Sequence, residues 1–306
     1  MKRRDFFRSS LAITSGLALG PLWTSTAQSG ARQVKEKSFN LLYAPHEGMF
    51  THHAGKDFID QIKFMHDRGF RGLEDNGLLG RPAADQEKIG KTLTTLGMTM
   101  GVFVVDGGDN WKPSLTTGNK NFVDHFVKTC HRCVDAARRV NARWLTVVPG
   151  YFERNLPLGI QTANVVEALR RGAEVFEPHG LIMVLEPLSD NPDLFLRTSS
   201  QSFEICKAVN SLSCKILYDI YHMQRNEGDL IKNMERVWDE IAYFQIGDNP
   251  GRKEPTTGEI NYRNIFKYIY SRGYRGVMGM EHGNAEEGKE GEIALMKAYR
   301  EVDDFL

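Results

Sequence analysis

From residue 38 onward the chain alternates between short apolar runs and longer stretches in which apolar residues recur every three or four positions. The short runs are "FNLLYA" (39–44), "RGLEDN" (71–76), "MTMGVFVV" (98–105), "RWLTVVP" (143–149), "LIMVLEP" (181–187), "CKILYDI" (214–220), "AYFQIGD" (242–248) and "GVMGMEH" (276–282). Near-continuous apolar runs of this length predict strands buried on both faces, as in a parallel sheet covered by helices. The longer stretches predict those helices. "GKDFIDQIKFMHDRGF" (55–70) places apolar residues at 58, 59, 62, 64 and 65 and meets a stop at Gly69. "AADQEKIGKTLTTLG" (83–97) ends the same way, and "TANVVEALRRGAEVFEPHG" (162–180) closes on Pro178 and Gly180. "SSQSFEICKAVN" (199–210), "GDLIKNMERVWDEI" (228–241) and "NYRNIFKYIYSRGY" (261–274) continue the series.

Eight strands alternating with helices predict an α/β fold, a (β/α)8 TIM barrel. A doubly wound open sheet is the competing arrangement. It should bring a phosphate-cradling glycine fingerprint after an early strand, and neither G-x-G-x-x-G nor G-x-x-x-x-G-K-[ST] occurs. No low-complexity segment or linker divides the chain, so residues 38–306 are expected to form a single catalytic barrel.

Residues 1–28 read differently. "MKRRDFFRSSLAITSGLALGPLWTSTAQ" has a basic start, a short apolar run and a small-residue end, the layout of a secretory signal. Arg3-Arg4 followed by Asp5-Phe6-Phe7 resembles a twin-arginine export signal. The expectation is cleavage near Ala27, a periplasmic or otherwise exported mature protein, and no stable membrane insertion afterwards.

Composition narrows the partners. The 39 basic and 39 acidic side chains balance, which gives no reason to expect nucleic acid or an anionic membrane. Cys130 and Cys133 form C-x-x-C, a spacing that can mark zinc or redox chemistry. Here the pair lies inside the amphipathic stretch "NFVDHFVKTCHRCVDAARRVNA" (121–142), with no second C-x-x-C. Small apolar residues on a helix is the favoured reading. Whether these or Cys206 and Cys214 are bridged is not legible in sequence, nor is homo-oligomerisation.

Chemistry concentrates where the later strands end. These runs finish on Glu186, Asp219, Gln245 with Asp248, and Glu281 with His282. Each is separated from the next by about one strand-plus-helix unit. In a barrel that spacing places them at one height on the fifth to eighth strands, at the face where active sites form. A carboxylate at the buried end of an apolar strand is costly unless paired or bound to a cation, and three together repel. A divalent metal resolves both. The hard-oxygen set Glu186, Asp219, Gln245 and Glu281 suits Mg²⁺ or Mn²⁺ better than zinc, because no His or Cys belongs to it. Separate salt bridges or helix N-caps would explain any one of these residues alone.

This constellation, with "LEP", "YDIYHMQ…EGDL" (218–230) and "QIGDNPGRKEPTTGEINY" (245–262), resembles the xylose isomerase-like barrels. That group includes ketose 3-epimerases, hydroxypyruvate isomerases, inosose dehydratases and endonuclease IV-type nucleases, and the resemblance is strongest to the hydroxypyruvate isomerases. It implies metal ligation by the quartet, with Glu186 and Glu281 also transferring protons on opposite faces of the substrate. It implies that His222, Arg252 and Asp248 bind substrate, while Glu254 and Glu259 order the loop. The substrate would be a small hydroxy-carbonyl compound or sugar: hydroxypyruvate going to tartronate semialdehyde, or a ketose undergoing 3-epimerisation. A carbohydrate-binding barrel without catalysis is the reading from another class. A nuclease would need a His-rich multi-zinc set and a basic face. The early loops "YAPHEGMFTHHAG" (43–55) and "DGGDNWKPS" (106–114) depart from the family pattern. Their His46, Glu47, Trp111 and Lys112 are either substrate contacts or plain loop residues.

Overall fold

The computed structural model describes residues 38–306, so the expected export signal lies outside the described residues. Nine strands run β1 (Leu42–Ala44), β2 (Gly72–Leu73), β3 (Thr99–Met100), β4 (Phe103–Val104), β5 (Trp144–Val147), β6 (Ile182–Leu185), β7 (Cys214–Asp219), β8 (Ile241–Gln245) and β9 (Val277–Gly279). Ten helices intervene: α1 (Thr51–Ala54), α2 (Phe58–Asp67), α3 (Ala83–Leu96), α4 (Lys120–Val140), α5 (Leu158–Phe176), α6 (Ser199–Val209), α7 (Ile220–Asn226), α8 (Leu230–Val237), α9 (Tyr262–Ser271) and α10 (Gly288–Asp303).

All strand pairings are parallel. β4 to β9 pair in succession, β9 pairs with β1, and β2 pairs with β3. The ring closes between β1 and β2, where the Glu74 N–H donates to the Pro45 carbonyl at 3.0 Å and His46 bridges Glu74. This is the expected (β/α)8 barrel, with one difference. The run 98–105 is one strand in sequence but two in the structure, β3 facing β2 and β4 facing β5. The break falls at Gly101, where a Cβ would lie 2.3 Å from the Tyr243 hydroxyl. The strand bends there around a tyrosine that crosses the barrel interior.

Helix ends follow local chemistry. Asp57 caps α2 by accepting from the Ile59 and Asp60 N–H groups, and Asn119 and Thr198 cap α4 and α6. Gly97, Asn141 and Asn210 end α3, α4 and α6 in the left-handed conformation that these residue types tolerate. Cys130, Cys133, Cys206 and Cys214 are buried free thiols, the first two on the inner face of α4, as the helical reading expected. Among the described residues no helix is long and apolar enough to cross a membrane.

Among the described residues the core has two large parts, beside a small cluster of Val148, Leu188 and Leu194. One lies between sheet and helices and includes Tyr43, Leu145, Met183, Ile216, Tyr218, Phe244 and Met278. The other fills the barrel interior with Ala44, Val102, Val184, Leu217, Tyr243 and Val277. Side chains alternate along a strand, so inward-facing positions recur every second residue. Two residues beyond Val184, Leu217 and Tyr243 stand Glu186, Asp219 and Gln245. The register sets Asp219 beside Gln245 and Gln245 beside Gly279, with Glu281 the next inward position after Gly279. The polar residues therefore form a layer directly above the apolar floor.

A carboxylate cluster at the barrel mouth

Within that layer Glu186, Asp219, His222 and Glu281 each offer one ligand atom, all within 4.8 Å of one another. Glu186 and Asp219 are buried, and Glu281 keeps a quarter of its side chain exposed toward the mouth. Gln245 is fully buried beside Asp219. Asp219 has a divided role: its Oδ1 accepts from the Tyr221 and His222 N–H groups at 2.7 and 3.2 Å, capping α7. Its Oδ2 has no hydrogen-bond partner, and neither do Glu186 Oε1, Gln245 Oε1 or His222 Nε2. Buried polar atoms are nearly always partnered, so three such atoms converging on one place, with a fourth on the neighbouring Gln245, describe a receptor for something.

The electrostatics agree. Burial pushes the Glu186 carboxyl well above the usual range, with Glu281 and Asp219 adding to the shift and Arg252 opposing it. Burial likewise raises Glu281 against the pull of Arg252. A cation among these oxygens would reverse both shifts.

The histidine is oriented from behind. The Ser189 N–H donates to His222 Nδ1 at 3.2 Å, and the Ser189 hydroxyl lies 2.7 Å from the same nitrogen. A backbone N–H can only donate, so Nδ1 carries a lone pair and the proton of the neutral ring sits on Nε2. Burial lowers this histidine's pKa, which keeps the ring neutral, although Asp219 pulls the other way. Nε2 thus presents an N–H to the site, 3.6 Å from Asp219 Oδ2 and 3.9 Å from Glu186 Oε1.

The loop after β8 closes one side. Arg252 sits at φ 49° and lays its guanidinium over the Tyr221 ring at 5.0 Å. It donates to Glu281 Oε2 at 2.7 Å and lies 3.5 Å from Asp219 Oδ2 and 3.7 Å from Asp190 Oδ2. The structure brings Glu186, Asp219, His222, Gln245, Arg252 and Glu281 together. It sets Asp248 apart from them: both carboxylate oxygens accept from loop N–H groups, those of Ile260 and Gly258, at 3.0 Å. In this arrangement Asp248 braces the loop. Glu254 ties the loop to the next one through the Ala285 N–H at 2.8 Å, and Glu259 bonds the Asn249 and Gln224 side chains. His282 turns away to the Tyr299 hydroxyl at 2.7 Å.

Of the early-loop candidates, Glu47 pairs with Arg81 and Lys112 with Asp109, both at 2.6 Å. His46 bonds the Glu47 and His282 carbonyls, and Trp111 is largely exposed. Sequence reasoning passed over Glu74, Asn76, Ser189 and Asp190. Glu74 is buried beneath the cluster, accepting from Gln245 Nε2 and the Tyr243 hydroxyl, each at 2.9 Å. Burial raises its pKa to about 7 despite these bonds. Asn76 donates to Glu281 Oε1 at 2.9 Å. The signal was available: "RGLEDN" is an apolar strand that ends in a carboxylate, like the four strands that were used.

The fold and pocket define a class, a (β/α)8 barrel whose later strands converge carboxylates and an amide at their C-terminal ends. The chain belongs to the xylose isomerase-like TIM barrel family, whose profile matches residues 62–299. It is 39% identical over 140 residues to hydroxypyruvate isomerase of Escherichia coli strain K12, a match covering 45% of this chain and 54%, about half, of that enzyme. It is 27% identical over 256 residues to 2-oxo-tetronate isomerase of Cupriavidus necator, covering 82% of this chain and 95% of that one. The crystal structure of AP endonuclease, family 2, from Brucella melitensis shares the fold at a TM-score of 0.71 with 25% identity, covering 81% of this chain and 95% of that one.

Proposed function

We propose that the chain is a divalent-metal-dependent isomerase of small hydroxy-carbonyl compounds, with hydroxypyruvate going to 2-hydroxy-3-oxopropanoate as its first candidate reaction. The observation that carries this reading is the set of unpartnered buried atoms on Glu186, Asp219 and Gln245, beside a Glu281 carboxylate held by Arg252 and Asn76. Three carboxylates and one amide oxygen fit Mg²⁺ or Mn²⁺. Bound there, such an ion would supply charge stabilisation for an oxyanion and would fix the substrate carbonyl and hydroxyl.

The residues divide the remaining work. Glu186 and Glu281 form the proton-transfer pair. One takes a proton from the hydroxyl-bearing carbon, leaving an enediolate; the other delivers a proton to the former carbonyl carbon. The hydroxyl proton passes between the two oxygens, so product and substrate have one formula. His222, with its proton on Nε2, donates to the oxygen that gains charge. Arg252 balances the carboxylates and holds a substrate oxygen. Because the ring presents N–H to the cluster, we place His222 with the substrate and not among the metal ligands.

The same pair would also invert one carbon of a ketose, which makes epimerisation the second reading. Export by the twin-arginine route, inferred from Arg3-Arg4, belongs to the proposal and suits a sugar substrate. Mass spectrometry of the native protein tests it, and an intact N-terminus would contradict it.

The deciding experiment is NMR in deuterated water with Mn²⁺ or Mg²⁺ and a panel of hydroxy-carbonyl compounds. Deuterium should enter the carbon skeleton of a turned-over substrate, and chelation or Glu281→Gln should stop it. Product stereochemistry separates isomerisation from epimerisation. Saturable sugar binding without exchange would point to a binding barrel, and turnover unchanged by Glu281→Gln would overturn the assignment.

A further inference from the structure

Glu74 is buried behind Gln245, to whose amide it is hydrogen-bonded. All its contacts are donors. The Tyr243 hydroxyl, which itself accepts from the Val102 N–H at 3.4 Å, donates to Oε2. Gln245 Nε2 donates to Oε1 at 2.9 Å, and Asn76 Nδ2 lies 3.4 Å from the same oxygen. The carboxylate fits only because the strand opposite carries Gly279, where a Cβ would stand 1.7 Å from Glu74 Oε2.

A carboxamide has two faces of opposite polarity and nearly identical shape, so something must decide which one it shows. Turned one way, Gln245 offers a carbonyl oxygen to the cluster; turned the other way it offers N–H and could not bind a cation. Against an ionised Glu74 only the first orientation is tolerable, since the second would set a carbonyl against a carboxylate. The unpartnered Gln245 Oε1 is the result.

We propose that Glu74 is a positioning residue that fixes the flip of the Gln245 amide and thereby makes Gln245 an oxygen ligand. This rests on the metal site proposed above. Through Asn76, which bridges Glu74 and Glu281 Oε1, the same carboxylate also steadies a second member of the quartet. Gln245 is the one ligand whose donor atom is not given by its residue type, and Glu74 supplies the missing instruction.

The test is Mn²⁺ affinity, measured by calorimetry on the full chain, with thermal unfolding as the check on folding. Glu74→Gln removes the purely accepting partner and should weaken Mn²⁺ about ten- to hundredfold, the usual cost of losing a ligand's outer partner. The exchanged pair, Glu74→Gln with Gln245→Glu, keeps total charge and reverses the hydrogen bond. A carboxylate then faces the metal whichever way it turns, and most of the affinity should return. Glu74→Asp, which keeps two acceptor oxygens, should fall between wild type and Glu74→Gln. Equal affinity of Glu74→Gln and wild type overturns the proposal, as does an exchanged pair that binds no better than Glu74→Gln. If Glu74→Gln does not fold, a folded exchanged pair without Mn²⁺ affinity overturns it, and one that binds within about tenfold of wild type supports it. Wild type without Mn²⁺ affinity would overturn the metal site itself, and this role with it.

Discussion

Two layers of the barrel interior, one above the other, are built from the same strands and the same inward-facing positions. The lower layer of Ala44, Val102, Val184, Leu217, Tyr243 and Val277 is apolar apart from one hydroxyl, and that hydroxyl is bonded to Glu74. Above it Glu186, Asp219 and Gln245 stand two residues further along their strands, with Glu281 two beyond Gly279 and Glu74 behind Gln245; Glu186, Asp219 and Gln245 each carry an unpartnered buried oxygen. One step along each strand thus separates a region that stabilises the fold from a region that works against it. Functional sites are commonly destabilising in this way, because groups poised for a ligand are unsatisfied without it.

Substitutions should separate the layers, starting with the largest effect. Glu186→Gln should lower turnover about 10²–10⁴-fold, the range for losing a general acid or base, when rates are compared at saturating Mn²⁺. The same change should raise the melting temperature of the metal-free protein by about 2–4 °C, since it removes a crowded buried carboxyl. A fall in that temperature would erase the contrast between layers. Leu217→Ala, one layer down, should do the opposite: it should cost about 2–5 kcal/mol in denaturant unfolding. It should also leave Mn²⁺ affinity much closer to wild type than Glu186→Gln does.

The pH dependence of stability sharpens the comparison further. Glu74 titrates from its ordinary 4.5 up to about 7 in the folded chain, and Glu186 and Glu281 are raised as well. The folded state therefore holds more protons than the unfolded one in this window. These groups contribute stability that is present below about pH 4.5 and lost as pH rises through their folded values. Thermal unfolding of metal-free protein between about pH 5 and 7 should show this decline, and saturating Mn²⁺ should flatten it by keeping the ligands ionised. A slope unchanged by Mn²⁺ would contradict the upper layer as the source. The smallest effect belongs to the loop: Glu259→Ala, at an exposed bond to Asn249, should change stability by no more than about 0.5 kcal/mol and alter KM more than kcat.

Much of this was legible beforehand, and the reasons for the remainder are specific. Strand ends were readable because apolar runs broken by a single acid are rare and costly, so Glu186, Asp219 and Glu281 stood out with their spacing. Gln245 followed from the same strand-plus-helix spacing. The split of 98–105 into β3 and β4 was not readable, because it depends on a tyrosine from β8, far away in sequence, passing Gly101. Glu74 was in view but its strand was short, and its role depends on a bond to Gln245 that no local pattern encodes. Asp248 was assigned to substrate binding through the family resemblance; only the folded loop shows its oxygens turned to Gly258 and Ile260. The His222 proton position needed Ser189 from another strand's end.

Asp219 is at once the last residue of β7 and the cap of α7, with no spacer between strand and helix. Elsewhere at the mouth, as after β1 and β4, several residues intervene, and lineages could lengthen or shorten those segments to accommodate new substrates. At this junction a single inserted residue would turn the helix by about 100° and swing the imidazole out of the pocket. The barrel thus has one edge where segment lengths can change at little cost and one where they cannot, and the proposed chemistry belongs to the second.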